Sequence, residues 1–230
     1  MDILSVWMKE HALLILLSAG TVFNIFWLYH LRDKLDFKTP TIIILSVLHT
    51  VVGVLSVKTF AIIEGFGDLS VVGNMSLFGG IFFMPLFYVA VSRVMKRPMA
   101  LVFDYFTVCM VFTVMCARIN CIINGCCKGA YIHGADGPRW PTRELEIVFY
   151  IILLSFLIKI IKEGKNKGQV YLIYVIAYGI FRFVEEFFRE STATLGVFHK
   201  AHLWAIIALG LGVSLYAELQ KKQSKSKRRN

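Results

Sequence analysis

The sequence predicts an all-α integral membrane protein with about seven transmembrane helices, its N-terminus outside and its C-terminus cytoplasmic. Three observations predict it. Of 230 residues, 57% are apolar and only 17% charged, where a soluble domain is about 45–50% apolar and about 25% charged. The apolar residues fall in runs of spanning length, and a span needs about 20 of them. The Lys and Arg residues sit in short clusters between alternate runs.

The runs are 12–30, 41–63, 76–92, 99–124, 145–161, 168–188 and 201–218. The first comes after a start in which Asp2 and Glu10 offset Lys9. It therefore lacks the basic start of a cleavable signal and reads as a retained span. Gly79-Gly80 opens the third run, Gly125 and Gly129 close the fourth, and Gly179 interrupts the sixth. Residues 1–220 form one membrane domain, and 221–230 form a basic, solvated, disordered tail.

Orientation comes from counting cations. Arg32, Lys34 and Lys38 lie in the first loop, and Arg93, Lys96 and Arg97 in the third. Lys159, Lys162, Lys165 and Lys167 lie in the fifth, and six more lie in the tail, including Arg228 and Arg229. These are sixteen of the 25 Lys and Arg residues. The positive-inside rule puts that side in the cytoplasm. The formal charge of +10 thus reads as topology and does not point to nucleic acid.

Ionisable groups at membrane depth carry the functional signal, because each costs at least about 2.5–3.5 kcal/mol at a span centre. The first place is Ala117–Gly129, where Arg118, Asn120, Asn124, Gly125 and Gly129 end a span. A guanidinium grips a phosphate in a bidentate way, and glycines let backbone N–H groups approach an anion. An Arg snorkelling to the interface is the plainer reading. The second is Tyr178–Glu190, where Arg182, Glu186 and Arg189 recur at i, i+4 and i+7 on one helix face. Two Arg for one interior Glu186 leave surplus positive charge. A self-satisfied ladder at the membrane rim is the alternative. The third is Arg139–Glu146, where Thr142 reads as the N-cap of the fifth span and Glu144 and Glu146 favour its positive end.

The cysteines divide in two. Cys109 and Cys116 lie inside a span and read as packing. Cys121, Cys126 and Cys127 cluster at its outer end, and their alternatives stay open. Cys126 or Cys127 could be a nucleophile activated by Arg118 and Lys128. Cys121 could pair with either in a disulfide. Zinc with His133 as fourth ligand matches no common spacing, so no metal and no cofactor is expected. The Cys-x-x-Cys arrangement of redox proteins is absent.

These three places, in this order, resemble the bacterial prolipoprotein diacylglyceryl transferase family. Its Gly-Arg-Ile-Gly-Asn-Phe-Ile-Asn-Gly-Glu signature is similar to Ala117–Cys126. Its Pro-Ser-Gln-Leu-Tyr-Glu element is similar to Pro141–Glu146. Its Tyr-Gly-x-x-Arg-Phe-x-x-Glu-Phe-x-Arg element resembles Tyr178–Arg189, and its His-Gly-Gly looks like Phe78-Gly79-Gly80. The chain has Phe78, Cys121 and Cys126 where the family pattern has His, Asn and Glu.

The resemblance implies a seven-span enzyme of the bacterial plasma membrane with an outward-facing site. The donor would be phosphatidylglycerol and the acceptor the thiol of a prolipoprotein or peptide cysteine. Arg118, Arg182, Glu186, Glu146, Cys126 and Cys127 are then the catalytic candidates. Gly79, Gly80, Cys121, Asn124, Gly125, Gly129, Arg143, Arg189 and His202 are the substrate-binding candidates. Without His at position 78, the thiol proton would go to Glu146, Glu185 or His133, or to water. A relative with the same phospholipid site and another acceptor, or a non-catalytic lipid-binding protein, are the alternatives.

Overall fold

A computed structural model describes residues 3–66, 75–134, 137–164, 167–190, 194–195 and 198–227. Asp2, Lys165, Arg228 and Arg229, which entered the topology argument, lie outside the described residues. Among the described residues the chain forms α1 (Ile3–His30), α2 (Arg32–Leu35), α3 (Thr39–Glu64) and α4 (Phe78–Val94). It continues as α5 (Met99–Asn124), α6 (Thr142–Lys162), α7 (Val170–Glu185) and α8 (Lys200–Lys227). A single 3-10 turn, Glu186–Phe188, comes directly after α7. A two-residue hairpin, β1 (Thr194–Leu195) with β2 (Phe198–His199), leads into α8.

A helix stands at each of the seven predicted runs, and α5 matches its run residue for residue. Four helices, α1, α3, α5 and α8, are long and apolar enough to cross a membrane. Two readings are corrected. Residues 221–227 of the tail are not irregular, because α8 continues to Lys227 with Lys222 and Glu218 paired at 2.7 Å along it. Gly179 does not interrupt α7. It lets α8 close in, since a side chain there would press on Leu209 and the Ala205 carbonyl.

α7 forms the spine. Its buried residues Tyr171, Tyr174, Val175, Tyr178, Arg182 and Glu185 recur every three or four positions, the spacing of one helical stripe. The tyrosines form a column in which Tyr88 of α4 meets Tyr171 edge-on and Tyr150 of α6 stacks on Tyr178. Elsewhere the bundle turns apolar side chains outward, such as Phe26, Leu55 and Ile152. A bilayer would cover such faces.

Pro85 lies inside α4. It has no N–H, so the Ile81 carbonyl four residues earlier loses its helical donor. The Tyr171 hydroxyl donates to that carbonyl. In a medium without water this donation is what makes the proline tolerable.

Contacts gather the basic loops at one end of the bundle. Arg97 pairs with Asp36 at 2.6 Å, and the Gln223 amide donates to the Lys167 carbonyl at 3.0 Å. Asp104 at the start of α5 accepts from the N–H groups of Gly168 and Val170, at 2.7 and 3.1 Å. At the opposite end α3, α5 and α7 finish while α4, α6 and α8 begin, and there the Lys200 ammonium donates to the Glu64 carbonyl at 3.3 Å.

Candidate active site

α5 ends in a Schellman turn. The Gly125 N–H donates to the Ile122 carbonyl at 3.2 Å, and the Cys126 N–H to the Cys121 carbonyl at 3.1 Å. Gly125 supplies the left-handed backbone at φ +68°. Its N–H is therefore engaged within the turn. Gly129 answers a different need, because a side chain there would collide with the Trp140 carbonyl. On either side of it, the Ala130 N–H donates to Phe188 O at 2.9 Å and the Glu190 N–H to Lys128 O at 3.2 Å. The segment after α5 is thereby strapped to the segment after α7.

Arg118, almost two turns before the end of α5, points inward and pairs with Glu146 of α6 at 3.0 Å. Both are buried. Arg182 of α7 pairs with both Glu185 and Glu186, and Arg189 lies 3.9 Å from Glu185. His199 adds a contact to Glu186 at 3.3 Å. The expectation of surplus positive charge is corrected here. Glu146, Glu185 and Glu186 are three buried carboxylates against three Arg. Glu185 and Glu186 stand at i+3 and i+4 from Arg182, so consecutive carboxylates both reach it. Thr142 is also corrected as a cap. It opens α6 without a capping bond, and its hydroxyl donates to the Cys127 carbonyl at 3.4 Å.

These chains border a cavity of about 150 Å³. Arg118, Arg182, Arg189, Tyr178, Cys127 and Glu64 line it together with Phe78. The Tyr178 hydroxyl is buried with no hydrogen-bond partner among the described residues. Such a group is costly unless a ligand accepts from it. A second, apolar cavity of about 70 Å³, lined by Leu13, Leu17, Gly80 and Met110, shares Met75 and Leu77 with the first. A charged chamber thus adjoins a greasy slot, as an amphiphile with an anionic group would require.

The other predicted residues fall outside the charged cavity's wall. Gly79 packs α4 against α3, where a side chain would collide with the Ser56 carbonyl. Asn124 is exposed and donates to Asn120. Arg143 faces Glu144 at the surface, 3.7 Å away. His202 is buried against Phe183, Phe187 and Phe198, and its Nδ1 accepts from the His199 N–H at 3.0 Å. Among the expected proton acceptors, Glu146 and Glu185 are occupied by Arg and His133 is exposed. Glu64 is the wall carboxylate missed in the sequence, where it reads only as the end of a span.

All five cysteines are free thiols, and Cys109 and Cys116 are buried in α5. Cys127 borders the cavity with its Sγ 3.9 Å from Arg118 Nη1. The neighbouring Cys121 thiol holds the Cys127 thiol well below its ordinary range, against burial and with help from the Arg189 and Arg118 guanidiniums. Cys126 is exposed and is not part of the wall.

Three guanidiniums and a phenol without a partner among the described residues line a cavity beside an apolar slot, in an all-α bundle of the membrane-protein class with four helices long and apolar enough to cross a membrane. Residues 6–217 match the profile of the family described as prolipoprotein diacylglyceryl transferase. The chain belongs to that family. It is 20% identical to the phosphatidylglycerol–prolipoprotein diacylglyceryl transferase of Dehalococcoides mccartyi strain 195, across 92% of this chain and 90% of the relative. It is 30% identical to the enzyme of that name from Pasteurella multocida, over 57% of this chain and 52% of the relative. It is 32% identical to Clostridium perfringens phosphatidylglycerol–prolipoprotein diacylglyceryl transferase 2, over 43% and 44% respectively.

Proposed function

We propose that the chain moves the diacylglyceryl group of phosphatidylglycerol onto the cysteine thiol of a prolipoprotein. The family match and the relatives' names support the reaction. The observation that carries it is the convergence of Arg118, Arg182, Arg189 and Tyr178 on one chamber beside an apolar slot.

The headgroup phosphate occupies the chamber and the acyl chains leave through the slot. The incoming thiolate forms a C–S bond to the glyceryl carbon that carries the phosphate ester. The C–O bond at that carbon breaks, and its electron pair leaves with glycerol phosphate. Arg118 and Arg182 hold the charge that develops on the leaving phosphate, and the Tyr178 hydroxyl donates to one of its oxygens. Such donors act without reorganisation because their carboxylate partners already fix them. Glu146 positions Arg118, and Glu185 and Glu186 position Arg182. Phe78 stands where the family pattern has His and offers no base, so Glu64 takes the thiol proton and passes it to water.

The seven long helices all cross the bacterial plasma membrane, with the basic loops in the cytoplasm and the chamber toward the outer face. Residues 1–220 form the membrane unit and 221–230 its basic cytoplasmic end.

Expression in a bacterium depleted of its own transferase tests this reading. Diacylglyceryl-modified lipoprotein should reappear with the wild-type chain and not with Arg182→Ala at equal membrane abundance. Unmodified prolipoprotein with both chains would overturn it.

A further inference from the structure

The transfer uses at most the edge of Cys127, yet three thiols stand together. The Sγ atoms of Cys121, Cys126 and Cys127 all lie within 4.8 Å of one another. The fold produces that spacing. Cys121 sits in the last turn of α5, and the Schellman turn at Gly125 brings Cys126 and Cys127 back over it. Cys127 then adopts a left-handed backbone itself, φ +56°. That is unusual for a residue with a side chain and persists only where the surroundings hold it. Here the Thr142 hydroxyl holds its carbonyl, and the strap through Ala130 and Glu190 holds Lys128 and Ala130 just beyond it. The thiols are thus fixed from both sides, with no disulfide among them.

Around a d10 metal ion with bonds of about 2.3 Å, sulfur ligands stand about 3.8–4.0 Å apart. The trio needs a contraction of less than about 1 Å to reach that spacing. We propose that Cys121, Cys126 and Cys127 bind one soft, thiophilic d10 cation of the Cu(I) or Zn(II) class, one thiolate each. Thiolates favour these ions over hard cations. The ligands bind as thiolates, so any thiol still protonated releases its proton to solvent as the ion binds. Once contracted, the three thiolates complete a trigonal set for Cu(I), and Zn(II) adds one water as its fourth ligand. Three thiolates leave the site net negative with either ion. Arg118, 3.9 Å from the Cys127 sulfur, faces that excess charge, as does Arg189 across the cavity. His133 has no part in this set.

On the proposed function, an ion here puts net negative charge on the wall that Arg118 shares with the substrate phosphate. Metal loading and phosphate binding therefore oppose each other, which makes the trio a metal-responsive inhibitory site.

The test uses the full chain in detergent, reduced and held without oxygen, titrated separately with Zn(II) and with chelator-buffered Cu(I). Native mass spectrometry counts the ions, and thiolate-to-metal charge-transfer absorption reports the ligands. The expected result is one ion per chain with at least one metal. Cys126→Ser, at an exposed position, should weaken it by at least about tenfold. Glu64→Gln should keep the full stoichiometry, so failure of the transfer mechanism and failure of the metal site are told apart. No stoichiometric binding of either ion, binding unchanged in Cys126→Ser, or a disulfide within the trio of protein isolated without reductant would each overturn the proposal.

Discussion

The Glu146 carboxylate, four residues into α6, holds the Arg118 guanidinium of α5 at 3.0 Å, and both are buried. A buried pair of this kind contributes little net stability by itself, but removing one partner strands the other charge at a cost of about 3–5 kcal/mol. Its value is positional, since it aims a cation into the chamber. Arg118→Ala should abolish transfer. Glu146→Gln should lower kcat while the protein remains inserted, because a carboxamide still accepts one hydrogen bond but no longer balances the charge. Equal kcat in Glu146→Gln and wild type would remove Glu146 from this role.

Tyr178 offers a hydroxyl without a partner at the cavity wall. Removing one such donor from an oxyanion site typically costs about 10²–10³ in kcat. Tyr178→Phe should show a loss of that order, with little change in thermal stability because the ring stays in its stack with Tyr174 and Tyr150. Steady-state kinetics with a lipobox peptide reads the first expectation, and a melting curve in detergent reads the second.

Glu64 should behave differently. As the acceptor of the thiol proton, its loss in Glu64→Gln should be offset as pH rises and the peptide thiol ionises by itself. A free thiol titrates near about 8.5. The ratio of wild-type to variant kcat/KM should therefore shrink toward that pH. A constant ratio across the profile would mean that Glu64 shapes the cavity without taking the proton.

Helix packing sets two stability expectations. Tyr171→Phe leaves the Ile81 carbonyl without a donor beside Pro85 and should cost about 1–3 kcal/mol. Gly79→Ala forces a methyl group into the Ser56 carbonyl of α3 and should cost about 1–3 kcal/mol or displace α4. Unfolding in mixed micelles measures both, and wild-type stability in either variant would contradict these contacts.

Much of the fold was legible in the sequence because the bilayer's length requirement acts on local composition. α5 begins right after Pro98 and ends at the Gly125 turn, two signals that a sequence displays directly. The pairing of the charges was less legible. The i, i+4, i+7 ladder singled out Glu186 as the partner of Arg182, yet Glu185 at i+3 lies on the same helix face and pairs with it as well. Glu64 lay hidden because nothing local distinguishes a cavity carboxylate from an ordinary helix end. Thr142 looked like a cap, yet its hydroxyl serves the Cys127 carbonyl fifteen residues earlier, a contact set by how α5 and α6 meet.

Transfer to a peptide thiol can be read in a single reaction. The purified chain is placed in phosphatidylglycerol vesicles with a lipobox peptide, and intact-mass spectrometry reads peptide and protein together. The expected products are a diacylglyceryl thioether on the peptide and an equal amount of released glycerol phosphate, with no adduct on the protein and loss of both products in Arg182→Ala. A diacylglyceryl adduct on Cys126 or Cys127, or correctly folded protein that forms no thioether, would contradict the proposed reaction.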